Sequence, residues 1–175
     1  MVQSVELVLD EVLDGLVREE WALLLGADLP SQARHTGASN APHVTLGVAD
    51  RVDATAEGAL SAIDVAAGAE LRLGGLLVFP GRRSVLARAV VATPTLLRTH
   101  HAVQAAMDGL PGRPDTTLPD RWTPHVTLAR RLDADQLAAA VALLADRPRE
   151  LVGTIRGARR WDGDARATWD LVATS

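Results

Sequence analysis

The five residues PHVTL occur twice, at 42–46 and again at 124–128, 82 positions apart. Each copy is β-branched and apolar at its second half, so each reads as the start of a strand. In a strand successive side chains point to opposite faces. His43 and Thr45 therefore share one face and Val44 and Leu46 the other, and the same holds for His125 and Thr127. Pro42 and Pro124 suit strand beginnings, because proline has no N–H to give to a ladder. Any fold of this chain must bury two Val/Leu anchors while presenting two imidazole–hydroxyl pairs.

The elements around the two copies replay in order. Residues 4–9 alternate as a strand, and residues 11–26 place apolar side chains at helical spacing. The turn-rich loop 30–40 (PSQARHTGASN) leads into the first motif strand. Asp53 caps a helix expected to reach residue 67, and a strand pair, 71–79 and 85–91, turns at PGRRS. A helix over 95–108 and the loop 109–124 then deliver the second motif strand. Asp133 with Gln136 forms a capping-box pattern opening a helix to 145, before strands 151–158 and 168–174. Motif, helix and two strands map onto motif, helix and two strands, a repeat at the scale of half the chain. The expected fold class is α+β, with residues 1–175 as a single domain. It would be a bilobal, pseudo-twofold arrangement of two α/β lobes with antiparallel sheets around a central cleft, each lobe carrying one motif.

Composition narrows the chemistry. Forty-seven per cent of the residues are apolar, enough for one core, and no cysteine is present, which excludes disulfides, thiolate metal sites and cysteine nucleophiles. The N-terminus is acidic and no apolar run reaches the ~20 residues of a membrane span, so a cytoplasmic location and no membrane partner are expected. Net charge is −4, which argues against wrapping long nucleic acid. All 18 basic residues are arginine, and they concentrate after residue 70.

Two histidines facing one another across a small gap suit phosphoryl chemistry near neutral pH. An imidazole titrating near 6.5 can be neutral in one copy, to take a proton, and charged in the other, to give one. The two threonine hydroxyls can donate to non-bridging phosphate oxygens, and no step calls for a metal or cofactor. Packing alone demands only the Val and Leu positions. Retention of His and Thr in both copies points to chemistry.

The paired His-x-Thr-hydrophobic motifs, half the chain apart, resemble the two-histidine (2H) phosphoesterase superfamily, in its bacterial 2'-5' RNA ligase-like branch. The resemblance covers essentially the whole chain. It implies a bilobal α+β fold and metal-independent action on 2',3'-cyclic phosphates, 2',5'-linkages or ADP-ribose 1'',2''-cyclic phosphate, with reversible joining of tRNA halves in some members. It further implies His43 and His125 as the catalytic pair, with His125 as base and His43 as acid, and Thr45 and Thr127 as phosphate-binding hydroxyls. An arginine after the second motif, Arg130, also fits the family pattern. Strict alternation places Arg130 opposite His125, so it would reach phosphate only if the strand ends or bulges there; the first copy has Gly47 and Val48 instead.

Beyond the motifs, His35 and Asn40 are candidates for a cleft wall and Trp122 for stacking on a nucleobase. Phe79 and Trp161 are expected in the core, His100 and His101 on the surface of a helix, and Arg156, Arg159 and Arg160 at a solvated strand end. No dinucleotide, P-loop or serine-hydrolase fingerprint is present. With 3% aromatic residues and no tyrosine, a nucleotide or RNA terminus is a better partner than a long single strand. Nothing calls for more than a monomer. Three function classes follow: a phosphodiesterase, a nucleotide or RNA-end binding module without turnover, and an interaction scaffold indifferent to nucleotides.

Overall fold

The computed structural model describes residues 2–37 and 39–171. Its elements run β1 (Gln3–Leu9), α1 (Glu11–Gly26), β2 (His43–Ala49), α2 (Ala54–Ser61), β3 (Glu70–Phe79), β4 (Ser84–Val90), α3 (Pro94–Ala106), β5 (His125–Leu132), α4 (Ala134–Leu144), β6 (Leu151–Asp162) and β7 (Ala167–Asp170), with a short 3-10 turn at Gln32–Arg34. Residues 172–174, expected to finish the last strand, lie outside the described residues.

The strands form one seven-stranded sheet, ordered β2-β1-β6-β3-β4-β5 with β7 on the free side of β6. Every pairing is antiparallel. One sheet replaces the separate sheets expected for two lobes, and β6 is the reason. At 12 residues it spans about 40 Å, so its start pairs β3 while its remainder pairs β1. The half-chain repeat does not partition the sheet either. The first motif strand bonds to β1, and the second bonds to β4 from the other half. The motif strands thereby become the two ends of the strand order, and those ends touch without pairing.

Local signals account for most boundaries. Asp53 Oδ1 accepts from the Ala56 amide at 2.9 Å, and Asp133 with Gln136 closes a reciprocal capping box. The second helix stops at Ser61, short of residue 67, because Ala66 and Gly68 take left-handed φ of 54° and 83° in the turn that follows. The anchors Val44, Leu46, Val126 and Leu128 are fully buried. Each contributes roughly 1.5–3 kcal/mol of apolar burial, which holds the opposite, histidine-bearing faces in place.

Two arginines expected at a solvated strand end are buried instead. Arg160 pairs with Glu57 and donates to Gln3 Oε1 at 2.7 Å, and Arg159 donates to Glu6 Oε2 at 2.8 Å. They fall in the stretch by which β6 outruns its expected end, where β1 and β7 flank it on both sides. Among the described residues, no helix is long and apolar enough to cross a membrane.

Candidate active site

Both motif strands are bulged at the same point. On β2 the register passes from Gly47 opposite Val5 to Thr45 opposite Glu6, leaving Leu46 unmatched. On β5 it passes from Thr127 opposite Ala87 to Ala129 opposite Leu86, leaving Leu128 unmatched. Each bulge buries two consecutive residues, Leu46–Gly47 and Leu128–Ala129, and so reverses the alternation beyond it. Arg130 is thereby returned to the histidine face, correcting the opposite-face expectation from strict alternation. The corresponding position on β2 is Val48, so the cation is supplied on one side only.

The two imidazoles are held alike. His43 Nδ1 lies 2.8 Å from the Ala41 carbonyl and His125 Nδ1 lies 2.8 Å from the Thr123 carbonyl. A carbonyl only accepts, so Nδ1 carries hydrogen in both rings and Nε2 is left for chemistry. Burial pushes the His125 imidazole below its ordinary 6.5, and Arg130 and His43 add to the lowering against the opposing Thr123 carbonyl. The two histidines thus share one electrostatic environment. Thr45 and Thr127 are half-buried beside them, and neither hydroxyl has a hydrogen-bond partner among the described residues.

His43 lines a pocket of ≈ 340 Å³ with Glu6, His35, Asn40, Arg159 and Trp161. The Asn40 side-chain amide ties the loop by donating to the Gln32 and His35 carbonyls at 3.0 and 2.7 Å. Phe79 is 82 residues before Trp161 and sits against the other histidine, its ring centroid 4.6 Å from that of His125. Neither aromatic belongs to the core. Both stand half-buried beside a motif histidine, at equivalent positions in the repeat.

A family model described as the 2'-5' RNA ligase superfamily matches residues 20–166. The chain belongs to the 2'-5' RNA ligase superfamily. Its fold is similar to that of Kluyveromyces marxianus Usb1, solved with uridine monophosphate, at 16% identity and a TM-score of 0.56 over 97% of this chain and 98% of that one. A second structure of Kluyveromyces marxianus Usb1 aligns at 14% identity and a TM-score of 0.52, covering 97% of each chain. No curated protein sequence matches the chain.

In this superfamily member the threonines are set from behind by tryptophans. Trp122 Nε1 donates to the Thr45 carbonyl and Trp21 Nε1 to the Thr127 carbonyl, each at 3.0 Å. Edge strands expose unpaired carbonyls, and each indole satisfies one where the two edges approach without pairing. Trp122 is in turn stacked on His100, with ring centroids 3.9 Å apart and planes 1° from parallel. His100 is buried rather than on the surface, donating from Nε2 to the Thr117 carbonyl at 2.9 Å. One face of Trp122 is accordingly already covered.

Glu6 and Arg159 complete the His43 side. Glu6 Oε1 lies 3.5 Å from His43 Nε2 and accepts from Ser4 Oγ at 2.8 Å, while Oε2 accepts from Arg159. Glu6 had no distinguishing mark in the sequence, being one more polar residue in an alternating strand. The site is therefore geometrically symmetric and electrically lopsided, with a carboxylate near His43 and a guanidinium near His125. Among the described residues no group of three His, Cys, Asp or Glu is disposed to hold a metal ion.

Proposed function

We propose that the protein is a phosphodiesterase that opens 2',3'-cyclic phosphate or 2',5'-linked nucleotide and RNA ends by paired-histidine acid–base catalysis. The observation that carries this reading is the matched pinning of His43 and His125 through Nδ1, which leaves both Nε2 atoms clear of those carbonyls on two strands that lie in contact. For a cyclic phosphate, His125 Nε2 takes a proton from water as the water oxygen attacks phosphorus. The bond to the departing ribose oxygen breaks, and His43 Nε2 gives that oxygen its proton. Burial, with Arg130 adding to it, lowers the His125 imidazole, which suits the base and leaves the acid role to His43. Thr45, Thr127 and Arg130 donate to the non-bridging oxygens, where negative charge gathers. With a ribose hydroxyl in place of water as nucleophile, His125 takes the hydroxyl proton, His43 protonates the departing ribose oxygen, and the same step joins two ends.

A nucleotide-sized ligand is further supported by the similar fold of Usb1, solved with uridine monophosphate. Trp122 has one face covered by His100, whereas Trp161 lines the pocket of His43 and is the ring assigned to base stacking in this reading. Such stacking contributes roughly 1–3 kcal/mol per base.

The test is a panel of 2',3'-cyclic nucleotides, 2',5'-dinucleotides and ADP-ribose cyclic phosphate, assayed with and without EDTA. Turnover of at least one class, unchanged by EDTA, is expected. Saturable binding with no turnover on any member would instead make the protein a nucleotide-binding module.

A further inference from the structure

Arg130, whose charge acts on His125, lines a groove of ≈ 1040 Å³ that the acid–base step does not use. One wall carries Arg83, Arg130 and Arg131, and the other Arg34 and His35 from the loop before β2. Consecutive strand residues normally point to opposite faces, yet Arg130 and Arg131 both enter this groove. They do so because Arg131 takes a left-handed φ of 63°, within a second register shift between Ser84 and Leu86. That conformation costs a non-glycine residue roughly 1–2 kcal/mol, and strain of this kind collects at functional positions.

Neither Arg130 nor Arg131 has a hydrogen bond or ion pair among the described residues. Asp28 is the one carboxylate lining the groove, and Arg34 already holds it at 2.9 Å. Arg83 is tethered to Asp133 at 3.2 Å on the rim. The groove is thus net positive, is lined by no Phe, Trp or Tyr, and communicates with the reaction centre twice. His35 lines both it and the His43 pocket, and Arg130 lines it while its charge acts on His125. Guanidinium groups grip phosphate oxygens through paired hydrogen bonds, and a groove with four arginines and a single imidazole favours a backbone over bases.

We infer that this groove binds the phosphodiester backbone of a single-stranded oligonucleotide leaving the reaction centre on the His125 side, so that the substrate is an RNA end rather than a free mononucleotide. The inference rests on the phosphodiesterase reading for its link to turnover, but its binding test does not.

The test compares the wild type with Arg83→Gln/Arg131→Asn, asparagine being chosen because it tolerates the left-handed backbone. Anisotropy of fluorescein-labelled hexauridylate, titrated between 50 and 200 mM NaCl, should show at least tenfold weaker binding for the variant. Losing two phosphate contacts should also flatten its log–log salt slope by about 1.4. Labelled uridine monophosphate should bind both proteins within twofold. Equal hexamer binding by the two proteins, a hexamer no tighter than the mononucleotide, or hexametaphosphate competing as well as RNA of equal charge would each overturn the inference. Hexamer binding through the groove with no turnover on any phosphodiester would leave the groove standing and defeat the catalytic reading, whereas turnover without length dependence would do the reverse.

Discussion

The indole of Trp122 donates to the backbone carbonyl of Thr45 across 77 residues of chain, at 3.0 Å. Because Thr45 lies between its motif histidine and the bulge, this bond holds the Thr45 hydroxyl in register beside His43. Trp122→Phe keeps the ring and its stack on His100 but leaves the carbonyl unpaired. It should cost about 1–3 kcal/mol, seen as a fall in Tm of about 2–4 °C per kcal/mol for a chain of this size. It should also lower kcat more than it raises KM, because a misplaced donor weakens the transition state first. A stable variant with unaltered kinetics would contradict the positioning role.

Burial lowers the His125 imidazole below its ordinary 6.5, and Arg130 and His43 add to the lowering. A depressed value keeps the base neutral into mildly acid solution, so the acid limb of the kcat/KM profile should lie below pH 6.5. Removing either neighbouring charge should move that limb and the ring's own titration upward. The check is a proton NMR titration of His125 in the wild type, Arg130→Ala and His43→Ala. An unchanged midpoint in both variants would refute the electrostatic coupling.

Glu20 and Arg88 tie α1 to β4 as an almost fully buried ion pair. Arg88 also donates to the carbonyls of Gly74 and Arg149, at 3.0 and 3.2 Å. Glu20→Gln strands a buried guanidinium and should cost about 3–5 kcal/mol. The double variant Glu20→Met/Arg88→Met should recover part of that loss. Chemical denaturation measures both, and a single variant as stable as the wild type would show the pair to be dispensable.

A Cβ on Gly47 would meet Met107 Sδ at 2.5 Å and Gln104 Nε2 at 3.2 Å. Both neighbours are buried, with little room to retreat. Gly47→Ala should therefore destabilise by about 1–3 kcal/mol, even though the equivalent position on β5 is already alanine. Wild-type stability in a melting experiment would mean that α3 yields more readily than its packing implies.

The motif faces, the caps at Asp53 and Asp133 and most element positions were legible in the sequence, because alternation and capping are local rules. What lay beyond it was long-range. Arg130 reaches the site through a bulge fixed by pairing with β4, and no local pattern marks a bulge. His100 looked like a surface residue because its partners, Trp122 and the Thr117 carbonyl, come from a loop further along the chain. Phe79 and Trp161 read as core since large aromatics usually are, although their 82-residue separation carried the clue that they serve the two histidines alike. The interleaving of the halves follows from the length of β6, whose last four residues, Arg159–Asp162, find partners in β1 and β7 on either side.

In the proposed reaction the two imidazoles act as one catalytic unit. The direct measurement is kcat/KM on the preferred phosphodiester for His43→Ala, His125→Ala and the double variant, with folding checked by circular dichroism. Each single variant should lose about 10²–10⁴-fold, and the double variant little more, since groups that work as a pair fail together. A single variant retaining wild-type turnover, or losses that simply multiply, would show that the two rings do not share one reaction.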